Sequence, residues 1–410
     1  MDQTYFRRGL GLKKEIEPVL AAEYHSALVE QVRAQGFVAT FGDITLRLAQ
    51  DFGFCYGVDR AVDYAHQATF KFPDRRIFLV GEIIHNPHVN RRLRESGIVF
   101  LYADAATGDF DFSAITADDV VIMPAFGVTL ADFARLRAIG CILVDTTCGS
   151  VLNVWKRVEQ YAKDGFTALI HGKYFHEETR ATASQVHTHE GGKYIVVRDM
   201  SEAGLVMAYI EQRPEALDRD AFRAHFRDKA SPGFDPDLDL VRVGVANQTT
   251  MLASESLAIA AEIGRSLGRR YGDAEIGAHF RSFDTICSAT QERQDAVLQL
   301  MRDPPDLMVV IGGYNSSNTN HLAHLCREYT TTYHIADATC IDVAGRVIRH
   351  KPELAADAPE LGSTDWLPAG PLTIGLTAGA STPNVKIGET IERILATRGI
   401  DVGHLSPAVR

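Results

Sequence analysis

A chain of 410 residues with 46% hydrophobic content can fill two or three buried cores, and its formal net charge of -11 argues against nonspecific binding to nucleic acid or to an anionic membrane. No apolar run approaches the roughly 20 residues of a membrane-spanning helix, and six cysteines, at 55, 141, 148, 287, 326 and 340, are too sparse for a secreted disulfide scaffold. The acidic balance makes the expected ligand small, and the opening MDQTYFRRGLGLKKEIEPVL mixes both charge signs without the apolar core of a secretory signal, so the expected location is cytoplasmic.

Residues 1–44 read as an N-terminal arm, in which EYHSALVEQVRAQG has the spacing of a helix ending at Gly36. From residue 45 one pattern recurs: an apolar strand, a loop of unusual residues, then an amphipathic helix. In ITLRLAQDFGFCYGVDRAV, Gly53 and Gly57 bracket Cys55, and Val58, Ala61, Val62 and Ala65 follow at helical spacing, which puts Cys55 at a helix N-terminus. RIFLVGEIIHNPHV then ends a strand in a loop with His85, and VVIMPAFGVTLADF runs a third strand into a loop of small residues and a helical start.

The pattern begins again with CILVDTTCGSVLNVWKRV, carrying Cys148, then TALIHGKYFHEETRA, carrying His176 and Glu178, then VRVGVANQTTMLASES, carrying Thr249. Between the last two, near 212–239, RPEALDRDAFRAHFRDKASPGFDPDLD is charged and broken by Pro and Gly, and reads as a surface excursion. A third round comprises FDTICSATQERQDAV with Cys287, LMVVIGGYNSSNTNHL with Ser316, and LTIGLTAGASTPNVKI with Ser381. The separations agree: 85 − 55 = 30, 176 − 148 = 28 and 316 − 287 = 29. Alternating strands and helices imply an α/β fold with parallel sheets, here three pseudo-repeated lobes at 45–140, 141–278 and 279–400, with a tail at 401–410. Ligands of such folds gather at the carboxyl ends of the strands, where all the unusual loops lie.

Three cysteines in one local context, each ahead of a helix whose dipole favours thiolate, suggest a shared metal centre. Zinc or an iron–sulfur cluster would suit, with one metal position open to substrate because no fourth ligand is evident. The hydroxyls, amides and helix-start N–H groups of NSSN, QTT and GAS favour an anionic, phosphate-bearing substrate. Neither GxxxxGK[ST] nor a well-placed GxGxxG occurs, HEET is not HExxH, and DPDLDL lacks the features of a calcium loop.

Taken together and in order, GFCYGVDRA, EIIHNP, VDTTC, HGKYFHEET, ANQTTM, TICSATQERQ, GGYNSSNTNHL and TAGASTP resemble the 4-hydroxy-3-methylbut-2-enyl diphosphate reductase family over roughly residues 45 to 395. The resemblance implies three lobes around a central [4Fe–4S] cluster held by Cys55, Cys148 and Cys287, with one open iron. It implies two-electron removal of the allylic hydroxyl of (E)-4-hydroxy-3-methylbut-2-enyl diphosphate, giving isopentenyl and dimethylallyl diphosphate in the non-mevalonate isoprenoid pathway. By the same likeness Glu178 relays the proton and Thr249 orients the substrate hydroxyl. His85, His176, Ser316, Asn318 and Ser381 bind the diphosphate with help from Ser317. The reaction needs an external electron donor such as ferredoxin or flavodoxin, which the sequence does not name. Two positions depart from the family's pattern, the first of them from its shorter bacterial members. Phe126 in PAFG replaces a histidine, as in the longer plant and cyanobacterial branch, and Gly149 replaces the usual proline after cysteine.

Two alternatives stand beside this reading: a non-redox hydro-lyase of the aconitase type, and a non-catalytic phosphate-binding module stabilised by zinc. Cys141, Cys326 and Cys340 lie outside the repeated context and are expected to be buried thiols. His171, His187, His189, His279, His321 and His324 are assigned surface or loop positions without a role.

Overall fold

The strand-forming segments are short and almost wholly apolar: IFLV at Ile77–Val80, VVIM at Val120–Met123, ILVD at Ile142–Asp145 and LMVVI at Leu307–Ile311, each buried throughout. Burial on both faces is the mark of parallel strands covered by helices on either side. A computed structural model describes residues 4–104, 107–283, 285–352 and 359–401, and places these strands in three mainly parallel sheets. Of the tail expected at 401–410, all but the first residue lies outside the described residues.

The three sheets share one strand order. In the first, Val99–Leu101, Ile77–Val80, Val120–Met123 and Ile142–Asp145 lie side by side. The second has Tyr194–Val197, Thr167–His171, Val243–Asn247 and Phe280–Ser282, and the third has Thr331–Ile335, Leu307–Ile311, Leu372–Ala378 and Ile44–Leu48. The third sheet thus takes its fourth strand from near the N-terminus. In every sheet the strand that leads into a cysteine loop is this fourth member, so each sheet starts one strand later than the boundaries at 45, 141 and 279 and ends with the first strand of the next round in cyclic order.

By internal packing the described residues fall into two units. One comprises those of Met1–Arg8, Phe72–Ile83 and Ile98–Cys287 and holds the first two sheets; the other comprises those of Gly9–Lys71, Ile84–Gly97 and Ser288–Arg410 and holds the third. In the second unit, Leu46, Val309, Ile374 and Leu376 share a core with Ile387, Ile391 and Ile394 of the helix Asn384–Thr397 and with Val29 and Val32 of the helix Ala27–Ala34. That unit also carries a three-stranded antiparallel sheet, Ile341–Asp342, Val347–His350 and Leu361–Thr364, outside the repeated pattern.

Two expectations change. The helix expected to end at Gly36 is interrupted: Lys13–Tyr24 and Ala27–Ala34 are separate helices because Ser26 turns to accept the Val29 N–H and caps the second one. The arm also supplies sheet edges, with Tyr5–Phe6 parallel to Ile142–Asp145 in the first unit and Val38–Phe41 antiparallel to Ile44–Leu48 in the second. The charged insertion is more than a surface excursion. Its short helix Arg219–His225 buries Phe222, and Phe226 and Phe234 join the same core with Tyr209 packed against it. No helix among the described residues is long and apolar enough to cross a membrane.

Candidate active site

Every candidate cysteine ligand, catalytic residue and diphosphate-binding residue lies after the carboxyl end of a strand, in a loop or in the first turn of the helix that follows it, and one hydrogen-bond pattern ties these loops together within each sheet. The second residue after each sheet's third strand, in the order given above, is Ala125, Thr249 or Ala380. Its carbonyl accepts a cysteine N–H: Cys148 onto Ala125 at 3.0 Å, Cys287 onto Thr249 at 3.4 Å, Cys55 onto Ala380 at 3.2 Å. The N–H of the same residue donates into the loop or helix start after the second strand. Its acceptors are the Ile83 carbonyl at 3.3 Å, Glu178 Oε1 at 2.6 Å and Asn318 Oδ1 at 2.8 Å. Each sheet therefore links its cysteine, through one residue's main chain, to the polar loop two strands away.

The cysteines open helices as expected. Cys55 and Cys148 start Tyr56–Lys71 and Gly149–Lys163 through carbonyls that accept the N–H groups of Asp59 and Leu152, and Cys287 immediately precedes Ser288–Leu300. Gly53 reaches this arrangement with φ +78, where a Cβ would meet Asn384 Oδ1 at 2.6 Å. Among the described residues no cysteine forms a disulfide; Cys55, Cys148 and Cys287 are partly exposed, whereas Cys141, Cys326 and Cys340 are buried. Burial pushes the Cys141 thiol up and that of Cys326 to about 12, which keeps both protonated at neutral pH.

In the first unit Glu178 is buried and sits in the first turn of the helix Glu177–Ser184, capped by His176. The Glu178 N–H donates to His176 Nδ1 at 3.1 Å, so the proton of the neutral imidazole is on Nε2. Phe126 meets the His176 ring edge-on, with centroids 5.4 Å apart. Here the aromatic residue that cannot donate to a ligand holds one that can. Gly127 beside it has φ +77, and a Cβ there would strike the Trp155 ring at 2.4 Å.

In the second unit His85 is buried, its Nδ1 accepting from Asn315 Nδ2 at 3.4 Å, and Ser381 Oγ donates to the His85 carbonyl at 3.2 Å. Ser316 caps the helix Ser317–Arg327, accepting the Thr319 N–H. Asn318 is buried with Oδ1 engaged by Ala380, while its Nδ2 has no hydrogen-bond partner among the described residues. A buried amide donor without an acceptor is costly in a folded protein and fits a site built to receive an anion.

Sequence reasoning missed Ala125 and Ala380, whose contribution is main-chain only, and Asn315, which holds His85. The signal for the alanines was an identical offset from the strand end: two residues beyond Met123, Asn247 and Ala378. His171, given a surface or loop place, is instead fully buried at the end of its strand, with Nδ1 2.8 Å from Ser256 Oγ.

The chain matches the model of the LytB protein family over residues 46–395. It belongs to the LytB family. The 4-hydroxy-3-methylbut-2-enyl diphosphate reductase of Thermosynechococcus vestitus is 47% identical over 399 residues, covering 97% of this chain and 96% of that protein. That of Gloeobacter violaceus is 47% identical over 401 residues, covering 97% and 94%. Among solved structures, an (E)-4-hydroxy-3-methyl-but-2-enyl diphosphate reductase described as the terminal enzyme of the non-mevalonate pathway superposes with a TM-score of 0.51 at 26% identity, covering 85% of this chain and 98% of its own. The Plasmodium falciparum reductase, at 20% identity and a TM-score of 0.59 over 85% of this chain and 87% of its own, shares the fold. The family that the eight sequence motifs resemble is the family to which these LytB relatives belong.

Proposed function

We infer that this LytB protein is a 4-hydroxy-3-methylbut-2-enyl diphosphate reductase, acting in the cytoplasm in the non-mevalonate pathway on (E)-4-hydroxy-3-methylbut-2-enyl diphosphate. The reaction breaks the allylic C–O bond and takes up two electrons and two protons, releasing water and isopentenyl or dimethylallyl diphosphate. The observation that carries the reading is the hydrogen-bond pattern repeated in all three sheets, which gives Cys55, Cys148 and Cys287 equivalent places and leads from Cys287 through Thr249 to Glu178.

Cys55, Cys148 and Cys287 are the proposed ligands of a [4Fe–4S] cluster with one iron left open. The donor set fits: these thiols are partly exposed at helix starts, and the other three cysteines are buried. When bound, such a cluster supplies a Lewis-acidic iron for the allylic oxygen and passes electrons singly from an external donor such as ferredoxin or flavodoxin.

The protein's own groups do the rest. With Oε1 held by the Thr249 N–H, the Glu178 carboxyl has a set orientation, and Oε2 carries the proton that leaves with the hydroxyl oxygen. Thr249 positions that hydroxyl. The diphosphate takes donors from His176 Nε2–H, His85 Nε2–H, the hydroxyls of Ser316, Ser317 and Ser381, and the Asn318 amide, helped by the N-terminus of the helix Ser317–Arg327.

Anaerobic reconstitution with iron and sulfide, metal and sulfide analysis, and a reductive assay on the allylic diphosphate test this reading. Expected are about four irons per chain by the cluster stoichiometry and one product for every two electrons consumed. Conversion without consumption of reductant would establish the hydro-lyase instead, and stoichiometric zinc without iron the non-catalytic module.

A further inference from the structure

The loop Gly312–Ser316 presents Ser316, Ser317 and Asn318, yet its own conformation is set by a part of the second unit that belongs to no repeat. Tyr314 Oη donates to Glu360 Oε1 at 2.8 Å, and Glu360 Oε2 accepts from Arg349 at 3.0 Å. Lys351 Nζ lies 5.1 Å from the centroid of the Tyr314 ring, and the His334 ring meets it edge-on at 5.1 Å. His334 Nε2 also bonds the Gly312 carbonyl at 3.0 Å, and Asn320 Nδ2 donates to the Tyr314 carbonyl at 2.8 Å. Arg349 and Lys351 come from or directly follow the strand Val347–His350, and Glu360 directly precedes Leu361–Thr364. The small antiparallel sheet, which has no counterpart in the other two rounds among the described residues, thus ends on the side chain two residues before Ser316.

We propose that Tyr314, braced by Glu360 and Lys351, is a positioning residue for the diphosphate: it fixes the loop so that Ser316 and Asn318 are held where the anion needs them. The inference rests on the proposed function for the identity of the ligand. The physical logic is that of preorganisation, in which donors fixed before binding do not lose conformational freedom during it. Burial and the neighbouring thiol and carboxylate keep the Tyr314 phenol protonated far above neutral pH, so its donor role is constant across the working range. Tyr314 need not touch the substrate.

The test uses the full-length reconstituted protein with Tyr314→Phe, Glu360→Ala and Glu360→Gln. Two quantities are read: kcat and KM for the allylic diphosphate, and the Kd of inorganic pyrophosphate by calorimetry. Loss of one hydrogen bond through a positioning group should raise KM and the pyrophosphate Kd together by about three- to tenfold in Tyr314→Phe and Glu360→Ala, with kcat within about twofold of wild type. Glu360→Gln, which keeps an acceptor oxygen, should fall nearer wild type. Tyr314→Phe retains the ring, and Glu360 is exposed, so melting temperatures should stay close to that of the parent and exclude general unfolding. Unchanged pyrophosphate affinity in Tyr314→Phe and Glu360→Ala overturns the proposal, as does a fall in kcat with affinity intact, or a wild type that binds no pyrophosphate. Pyrophosphate binding without turnover would reject the functional reading alone, and the variants would still decide the brace.

Discussion

Glu178 and Phe126 show how much a single side chain is asked to do. In Glu178→Gln the amide oxygen can still accept the Thr249 N–H, so local geometry persists while the transferable proton is lost. The expected result is unchanged iron content with kcat lowered by about 10²-fold or more, the usual scale of acid catalysis; anaerobic assay beside iron analysis checks it. The cysteines should behave in the opposite way. Cys→Ser at 55, 148 or 287 should lose iron and turnover together, whereas Cys326→Ala, removing a buried thiol on a helix, should keep its iron. Phe126→His adds a donor and alters the edge-on contact with His176. Its expected effect is on KM more than on kcat, read from steady-state kinetics.

At the scale of elements, the helix Gly149–Lys163 carries a correctable weakness. Gly149 is its first residue, where proline is favoured because the N–H has no partner within the helix. Cys148 before it is extended, with φ -62 and ψ 142, a conformation that a following proline favours, and nothing lies within 4 Å of a Cβ at Gly149. Gly149→Pro should therefore raise stability by about 0.4–1 kcal/mol through the unfolded chain's lost freedom, measurable as a higher urea midpoint at constant slope. The insertion gives the opposite prediction. Phe222→Ala should cost about 3–5 kcal/mol, because the ring is fully buried among Tyr209, Phe226 and Phe234. Phe222 and Phe226, four apart, carried the helical signal in a stretch whose many charges suggested surface. The helix misread up to Gly36 has a similar lesson: Ser26 is an ordinary residue inside a helical pattern until its side chain is seen to cap a new start.

Across the whole molecule, nine strand–loop–helix units among the described residues were legible because their determinants are local: apolar runs, turn residues and helical spacing. Sheet membership was not. Nothing in ITLRL, at Ile44–Leu48, says that it completes a sheet with Leu372–Ala378, since that choice is made by packing between distant segments. The buried imidazoles belong to the same class of hidden property, as local sequence made His171 look peripheral and gave no role to His334. Burial pushes each of them down to about 4, with Arg327 and Lys351 adding to the effect at His334 against the opposing hydrogen bond to Gly312. The unfolded chain protonates histidine near 6.5, so between about 6.5 and about 4 it binds protons that the folded chain refuses. Stability present above that window should be lost progressively as pH falls through it. The drop precedes the one expected from Glu211, whose burial is outweighed by arginine and serine hydrogen bonds that hold its carboxyl down at about 2, and whose contribution is lost only at lower pH. Urea midpoints should accordingly decline between about pH 7 and about pH 5, on the near-neutral side of the carboxylate range. Nitrogen-edited NMR should show the rings of His171 and His334 still neutral at about pH 5.5, well above their folded-state range; two imidazolium signals there would remove these two histidines as the cause.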